Sequence, residues 1–149
     1  MITIKRVRAD AVEFSPLHKA REAYSAALYQ AESNHLLDIS AMLQPQMNFF
    51  GAWIGKDVVG CGGFWEHVGY AEIKSMWVEP KARGQKIGSQ ILSVIEREAL
   101  AMGLTVVRLE TGIYQPEALG LYRKHGYRDV APFGDYKLDP LSVFLEKLL

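Results

Sequence analysis

The stretch from Ala71 to Thr111 constrains the fold more than any other. Ala71–Val78 reads as a strand, a turn rich in basic residues and glycine follows, and Ile87–Ala101 carries Ile87, Ile91, Leu92, Ile95, Ala99 and Leu100 on one broad helical face. Gly103 stops that helix, and Thr105–Thr111 reads as the next strand. A strand, helix and strand in this order predict a parallel pair joined by a right-handed crossover. The turn within Trp77–Leu92 delivers a strand into a helix N-terminus, where unpaired N–H groups meet the positive end of the helix dipole. That arrangement predicts an anion site.

The remaining chain supplies strands and helices around this unit. Ile2, Ile4 and Val7 alternate with polar residues as a half-buried first strand does. Ser15-Pro16 predicts a helix entry with Ser15 as N-cap, followed by Leu17, Ala20, Tyr24, Ala27, Leu28 and Ala31 at helical spacing. Glu32–Leu43 reads as a break and a second short helix capped by Ser33 or Asn34, closed by Pro45. Met47–Ile54 and Val58–Trp65 form a hairpin about the turn Gly55–Asp57, and Gly60, Gly62 and Gly63 predict a bulge or a close backbone approach. Pro116–His125 is a last helix; Tyr127–Val130 and Ser142–Leu148 are final strands joined by the polar loop Phe133–Pro140. The order β-α-α-β-β-β-α-β-α-β-β predicts an α/β fold, a mixed sheet with helices on both faces.

With 149 residues and 49% of them apolar, the chain is sized for one domain, residues 1–149, with a substantial core. Acidic and basic residues balance at 17 each, so no global field draws it to nucleic acid or anionic membrane, and anion recognition must be local. The lone Cys61 excludes an intramolecular disulfide and a multi-cysteine metal cluster, and no metal is expected. An N-terminus without an apolar run and the lack of any membrane-length apolar stretch predict a soluble, cytoplasmic protein.

Two motifs carry a family resemblance. Arg83-Gly-Gln-Lys-Ile-Gly88-Ser resembles the coenzyme A pyrophosphate loop of the GNAT family of N-acetyltransferases, Arg/Gln-x-x-Gly-x-Gly/Ala, with Lys86 at the first glycine. Gln115-x-x-Ala118-x-x-Leu121-Tyr122-x-x-x-Gly126-Tyr127 resembles the family's Asn-x-x-Ala-x-x-Leu-Tyr-x-x-x-Gly-Phe segment, with Gln115 at the usual asparagine. Residues 31–38, 109–112 and 132–144 are similar to a bacterial subgroup of small acetyltransferases whose acceptor is undefined. The resemblance implies the GNAT-type acyl-CoA N-acyltransferase fold, with a splayed pair of central strands, and acetyl-CoA as cosubstrate.

It further implies the site. N–H groups from Gly84 through Gln85, Lys86, Ile87 and Gly88 to Ser89 would cradle the pyrophosphate, with charge from Arg83 and Lys86. Backbone near Trp77 and Val78 would hold the thioester arm and its carbonyl oxygen, and Gln115 would stand beside it. Tyr122 would be the general acid: a phenol of pKa ~10 is protonated at neutral pH and a thiolate of pKa about 8.5 can take its proton. Packing of a buried tyrosine is the alternative. Glu72 sits where many members carry a catalytic carboxylate, but strand alternation puts Lys74 on its face, so a plain ion pair is equally open. The base matters because a lysine-like amine, pKa about 10.4, is charged at neutral pH, whereas an α-amine near ~7.7–8.0 needs less help.

Glu32–Leu43 and Phe133–Pro140 are expected to flank the acceptor, with Glu32, Asp135, Asp139 and Tyr136 suiting a small cationic or aromatic amine. His35 and His67 are candidate pocket groups or plain surface residues. Cys61 has no basic neighbour in its strand to make it a nucleophile. The expectation is therefore an acetyl-CoA-dependent N-acetyltransferase (a transferase of the acyltransferase class) acting directly on a small-molecule or peptide amine in a ternary complex. The alternative is an acyl-CoA-binding sensor without turnover. A phosphate-binding nucleotide enzyme lacks its lysine-serine ending, and Ser142–Leu148, as an edge or near-edge strand, would allow a homodimer.

Overall fold

The computed structural model describes residues 1–149. In chain order its strands are β1 (Ile2–Arg6), β2 (Met47–Ile54), β3 (Asp57–His67), β4 (Tyr70–Val78), β5 (Val106–Gly112), β6 (Arg128–Asp129) and β7 (Ser142–Leu148). Its helices are α1 (Ser15–Leu28), α2 (Ile39–Met42), α3 (Ile87–Ala101) and α4 (Pro116–Lys124). The strands form one seven-stranded sheet in the order β1-β2-β3-β4-β5-β7-β6, antiparallel everywhere except between β4 and β5. The element order and the single parallel pair match the sequence expectation. No helix is long and apolar enough to cross a membrane.

Neighbouring residues of β2 go to opposite faces, as strand pleating requires. Phe50 joins a core of 18 buried residues with Ile87, Ile91, Leu92, Ile95 and Ala99 of α3, and Phe49 joins a second, of seven, with Phe14 and Leu17 at the start of α1. Helices therefore cover both faces. Burying aliphatic side chains such as those of α3 stabilises by about 1.5–3 kcal/mol each, which is why this helix anchors the sheet.

Three local expectations are corrected. Ser15 does not cap α1; it lies inside the helix, which follows a 3-10 turn at Val12–Phe14 and has no side-chain cap. Neither Ser33 nor Asn34 caps α2: Asp38 does, accepting from Ala41 N at 2.8 Å, while Ser33 donates to Asp139 at 2.7 Å. The inward face of α1 is only partly the predicted apolar one. Leu17 is buried and Ala20 and Tyr24 pack against the second core as expected, but His18, Arg21 and Ser25 are buried beside them, whereas Ala27 and Ala31, the latter beyond the end of α1, are exposed.

The glycines of β3 serve both predicted purposes. The β3–β4 register slips between Cys61 and Gly63, and Ser75 on β4 takes a left-handed backbone at φ 64°. At Gly63 a Cβ would stand 2.2 Å from the backbone oxygen of Asn48, an atom the sheet holds in place. Gly63→Ala should therefore destabilise the protein by about 1–3 kcal/mol, read as a lower urea midpoint.

Candidate active site

Strands β4 and β5 pair at only two positions, Ala71 with Val107 and Glu72 with Arg108. Beyond Glu72 they part, and three adjoining cavities occupy the gap and its two ends.

The first, of about 420 Å³, lies where β4 runs into α3. Trp77, Val78, Arg83, Gly84, Lys86, Ile87, Gly88, Ser89, Gln115 and Tyr122 all line it; of the predicted coenzyme residues only Gln85 does not, its Nε2 donating to Ala82 O at 3.3 Å. The turn reaches the helix through two left-handed residues, Gly84 at φ 84° and Lys86 at φ 64°. Lys86 thus occupies a conformation that glycine takes freely and that costs other residues about 1–2 kcal/mol. No side chain caps α3, which leaves its first N–H groups free for a ligand. Arg83 is braced at the rim: Nε donates to Val78 O at 3.0 Å, the guanidinium sits 5.1 Å over the Trp77 ring, and Glu117 lies 3.7 Å away. At Gly88 a Cβ would press Leu121 at 3.2 Å, so glycine there lets α3 and α4 approach.

The second cavity, about 130 Å³, is the junction. It shares Tyr24, Met76, Trp77, Gln115, Ala118 and Tyr122 with the first. Tyr122 is 5% exposed, and burial alone raises the pKa of its phenol, so it is protonated throughout the physiological range. Gln115 Oε1 accepts from Tyr29 Oη at 3.2 Å and Gly112 N at 3.2 Å, tying α1 to the end of β5. Glu110 also lines the junction; burial raises its pKa, opposed by a 2.8 Å hydrogen bond from Ser142 Oγ.

The third cavity, about 690 Å³, shares His35, Leu37 and Lys74 with the junction. Glu32, His35, Asp135, Tyr136 and Asp139 line it, so the two segments expected to flank the acceptor do meet here. Glu72 is 5% exposed and fully engaged: His67 Nε2 lies 2.9 Å from Oε1, Tyr136 Oη donates to Oε2 at 2.5 Å, and Lys74 Nζ stands 3.2 Å from Oε2. The ion pair with Lys74 is therefore present, within a larger network in which Lys74 also donates to Tyr136 Oη at 2.6 Å. Burial first, then the Glu72 carboxylate, raises the pKa of Tyr136.

Among the residues that escape sequence reading are Arg21, Tyr29 and Glu110, which line the junction, and His18, which supports Arg21. Only Glu110 left a signal, within residues 109–112. Cys61 lies outside the chemistry; its thiol is buried, donates to Ser75 O at 3.3 Å, and is pushed up to about 12 by burial.

A parted β4–β5 pair, an uncapped basic turn at one end and a buried tyrosine at the junction define a coenzyme A-dependent acyltransferase. Residues 11–127 match the model of the acetyltransferase (GNAT) family. The chain is 48% identical over 130 residues to an IAA acetyltransferase of Azospirillum brasilense, covering 86% of this chain and 85% of that one. A Klebsiella pneumoniae crystal structure described as an acyl-CoA N-acyltransferase superposes with a TM-score of 0.85 at 32% identity, covering 100% of this chain and 98% of that one. PaiA N-acetyltransferase of Thermoplasma acidophilum, crystallised with coenzyme A, shares the fold with a TM-score of 0.74 at 18% identity, over 100% and 99% of the two chains. The chain belongs to the GNAT family of acetyltransferases, and acetyl-CoA is its cosubstrate.

Two measurements check this geometry. Lys86→Gly should be more stable than Lys86→Ala by about 1 kcal/mol in chemical denaturation, because only glycine relieves the left-handed backbone. For Glu110 the folded pKa lies above the unfolded one, so the native state binds the extra proton, and stability falls as pH rises through that window. Glu110→Gln should remove this slope and raise the Tm at pH 7 more than at pH 4.

Proposed function

We propose that this chain moves an acetyl group directly from the thioester to an amine held in the outer cavity, with both substrates bound together. The observation that carries the reading is the two-pair limit of the β4–β5 ladder, which opens a passage between two cavities with Tyr122 on its wall.

The amides of Gly84–Ser89 together with Arg83 and Lys86 are suited to the pyrophosphate, by hydrogen bonds and by charge. The Trp77–Val78 stretch pairs with β3 on one side and has no β5 partner on the other, so the backbone groups on that open edge are suited to the pantetheine arm and the carbonyl oxygen. Bound acetyl-CoA supplies an activated carbonyl and a thiolate leaving group. As the amine nitrogen bonds to the carbonyl carbon and the carbon–sulfur bond breaks, Tyr122 gives its proton to sulfur. The ammonium that enters must lose two protons, one to become nucleophilic and one as the new bond forms; Glu72 takes one of them through water and the His67 beside it, and Glu110, at the junction itself, takes the other. An inert Cys61 supports the direct route over one through an acetylated enzyme. Glu32, Asp135 and Asp139 around the mouth favour entry of a cationic amine.

Coenzyme A release, followed with a thiol reagent across a panel of small amines and peptide N-termini, tests the reaction. With the acceptor so found, Tyr122→Phe should lower kcat by roughly 100-fold or more while leaving the KM for acetyl-CoA unchanged. Full turnover by that variant would remove Tyr122 from the acid role.

A further inference from the structure

Helix α1 turns a polar face inward, and an unsatisfied charge sits on it. Arg21 is 4% exposed, yet neither Nε nor Nη2 has a hydrogen-bond partner. Only Nη1 is engaged, donating to His18 Nδ1 at 3.1 Å. His18 is neutral in this arrangement, because its Nε2–H donates to Ala9 O at 2.8 Å and Nδ1 must then accept. Burial also lowers its pKa, which keeps it so. No carboxylate forms an ion pair with the guanidinium, whose near neighbour is Cys61. The Cys61 thiol is protonated, since it donates to Ser75 O, and Glu22 is on the exposed side of the helix. Burying a charge with idle donors is costly unless a ligand completes it.

The two idle groups are a matched pair. Nε–H and Nη2–H leave one edge of the guanidinium plane side by side, at the spacing of the two oxygens of a carboxylate. Arg21 lines the junction cavity, and Trp77, which lines it too, carries another buried donor without a partner, Nε1. His18 thus holds one end of the guanidinium, and Arg21 is a wall residue of the junction beside the acceptor cavity.

We propose that Arg21 binds a carboxylate of the acceptor, so that the amine acetylated by this chain belongs to an amino acid or a similar amino carboxylate. This rests on the acetyl-transfer reading above and narrows its substrate class. Glu32, Asp135 and Asp139 at the outer mouth draw the ammonium group in on entry, after which Arg21 holds the carboxylate and leaves the amine to turn toward the thioester.

The test pairs each of several amino acids with its amide and with the corresponding aminoalkylphosphonate, using the full chain and its Arg21→Gln, Arg21→Lys and Arg21→Met variants. The native protein should favour acid over amide in kcat/KM by at least about 10-fold, the worth of a hydrogen-bonded charge. Arg21→Gln should abolish that preference through the acceptor KM, with the KM for acetyl-CoA held within about twofold; Arg21→Lys should restore part of it. Without ligand, Arg21→Met should raise the Tm, since it removes an unpaired buried charge, and it should lose the acid preference as Arg21→Gln does, so the loss in that variant cannot be ascribed to unfolding. Equal use of acid and amide by the native protein overturns the proposal, as does a preference for phosphonates or an Arg21→Gln penalty that falls on acetyl-CoA. Calorimetry with N-acetylated amino acids separates the two levels of inference. Saturable binding that Arg21→Gln abolishes supports the carboxylate subsite even if no amine is turned over, in which case the transfer reading fails alone; no binding by the native protein overturns the subsite.

Discussion

The structure depends on a ladder of parallel hydrogen bonds that stops after two residue pairs. Ala71 and Glu72 are the last residues of β4 to pair with β5, and everything chemical lies beyond them. The join is fastened heavily for its length. Arg108, opposite Glu72, bonds Glu146 of β7 at 2.7 Å and lies 4.5 Å over the Tyr70 ring. Past it, β4 is bent by Ser75 at a positive φ, and its free edge presents backbone groups that a sheet interior would have consumed. The same break that weakens the sheet furnishes an extended template for a thioester arm.

Around the outer cavity, order comes from aromatic contact more than from secondary structure. Phe133 and Tyr136 belong to a loop without strands, yet they meet edge to face at 5.2 Å and both pack against Phe144 of β7, at 5.9 and 5.5 Å. His67 stacks on Tyr70 at 4.4 Å. Such contacts each add about 0.5–1.5 kcal/mol beyond area burial, enough to fix the loop that supplies Tyr136 to Glu72. The network there is satisfied within the protein, in contrast to Arg21 at the junction.

How much of this was legible in the sequence follows from the range of the interactions. The strand–turn–helix–strand unit and the two motifs rest on local spacing, and they gave the order of elements, the parallel pair, the turn and the position of Tyr122 without help; the order of strands within the sheet came only from the fold. The caps were misread because Ser33 serves a partner 106 residues away, and no local pattern shows that. Part of the inward face of α1 was misread for a deeper reason. His18, Arg21 and Ser25 at helical spacing look like a solvated stripe, since burial of such residues is rare unless they are partnered. Their partners come from the tertiary fold, and for Arg21 part of the partnership is missing from the chain altogether. The left-handed Lys86 was equally hidden: the motif marked a departure from glycine, but only the backbone shows that the glycine conformation was kept.

The two large cavities share no wall residue and meet only through the small junction between them. Each opens by its own mouth. A molecule bound in one need not obstruct traffic through the other, so the order in which substrates arrive and products leave is set by affinity and not by steric gating. Evolution can then exchange the acceptor side of such a protein, loop by loop, while the nucleotide side stays as it is.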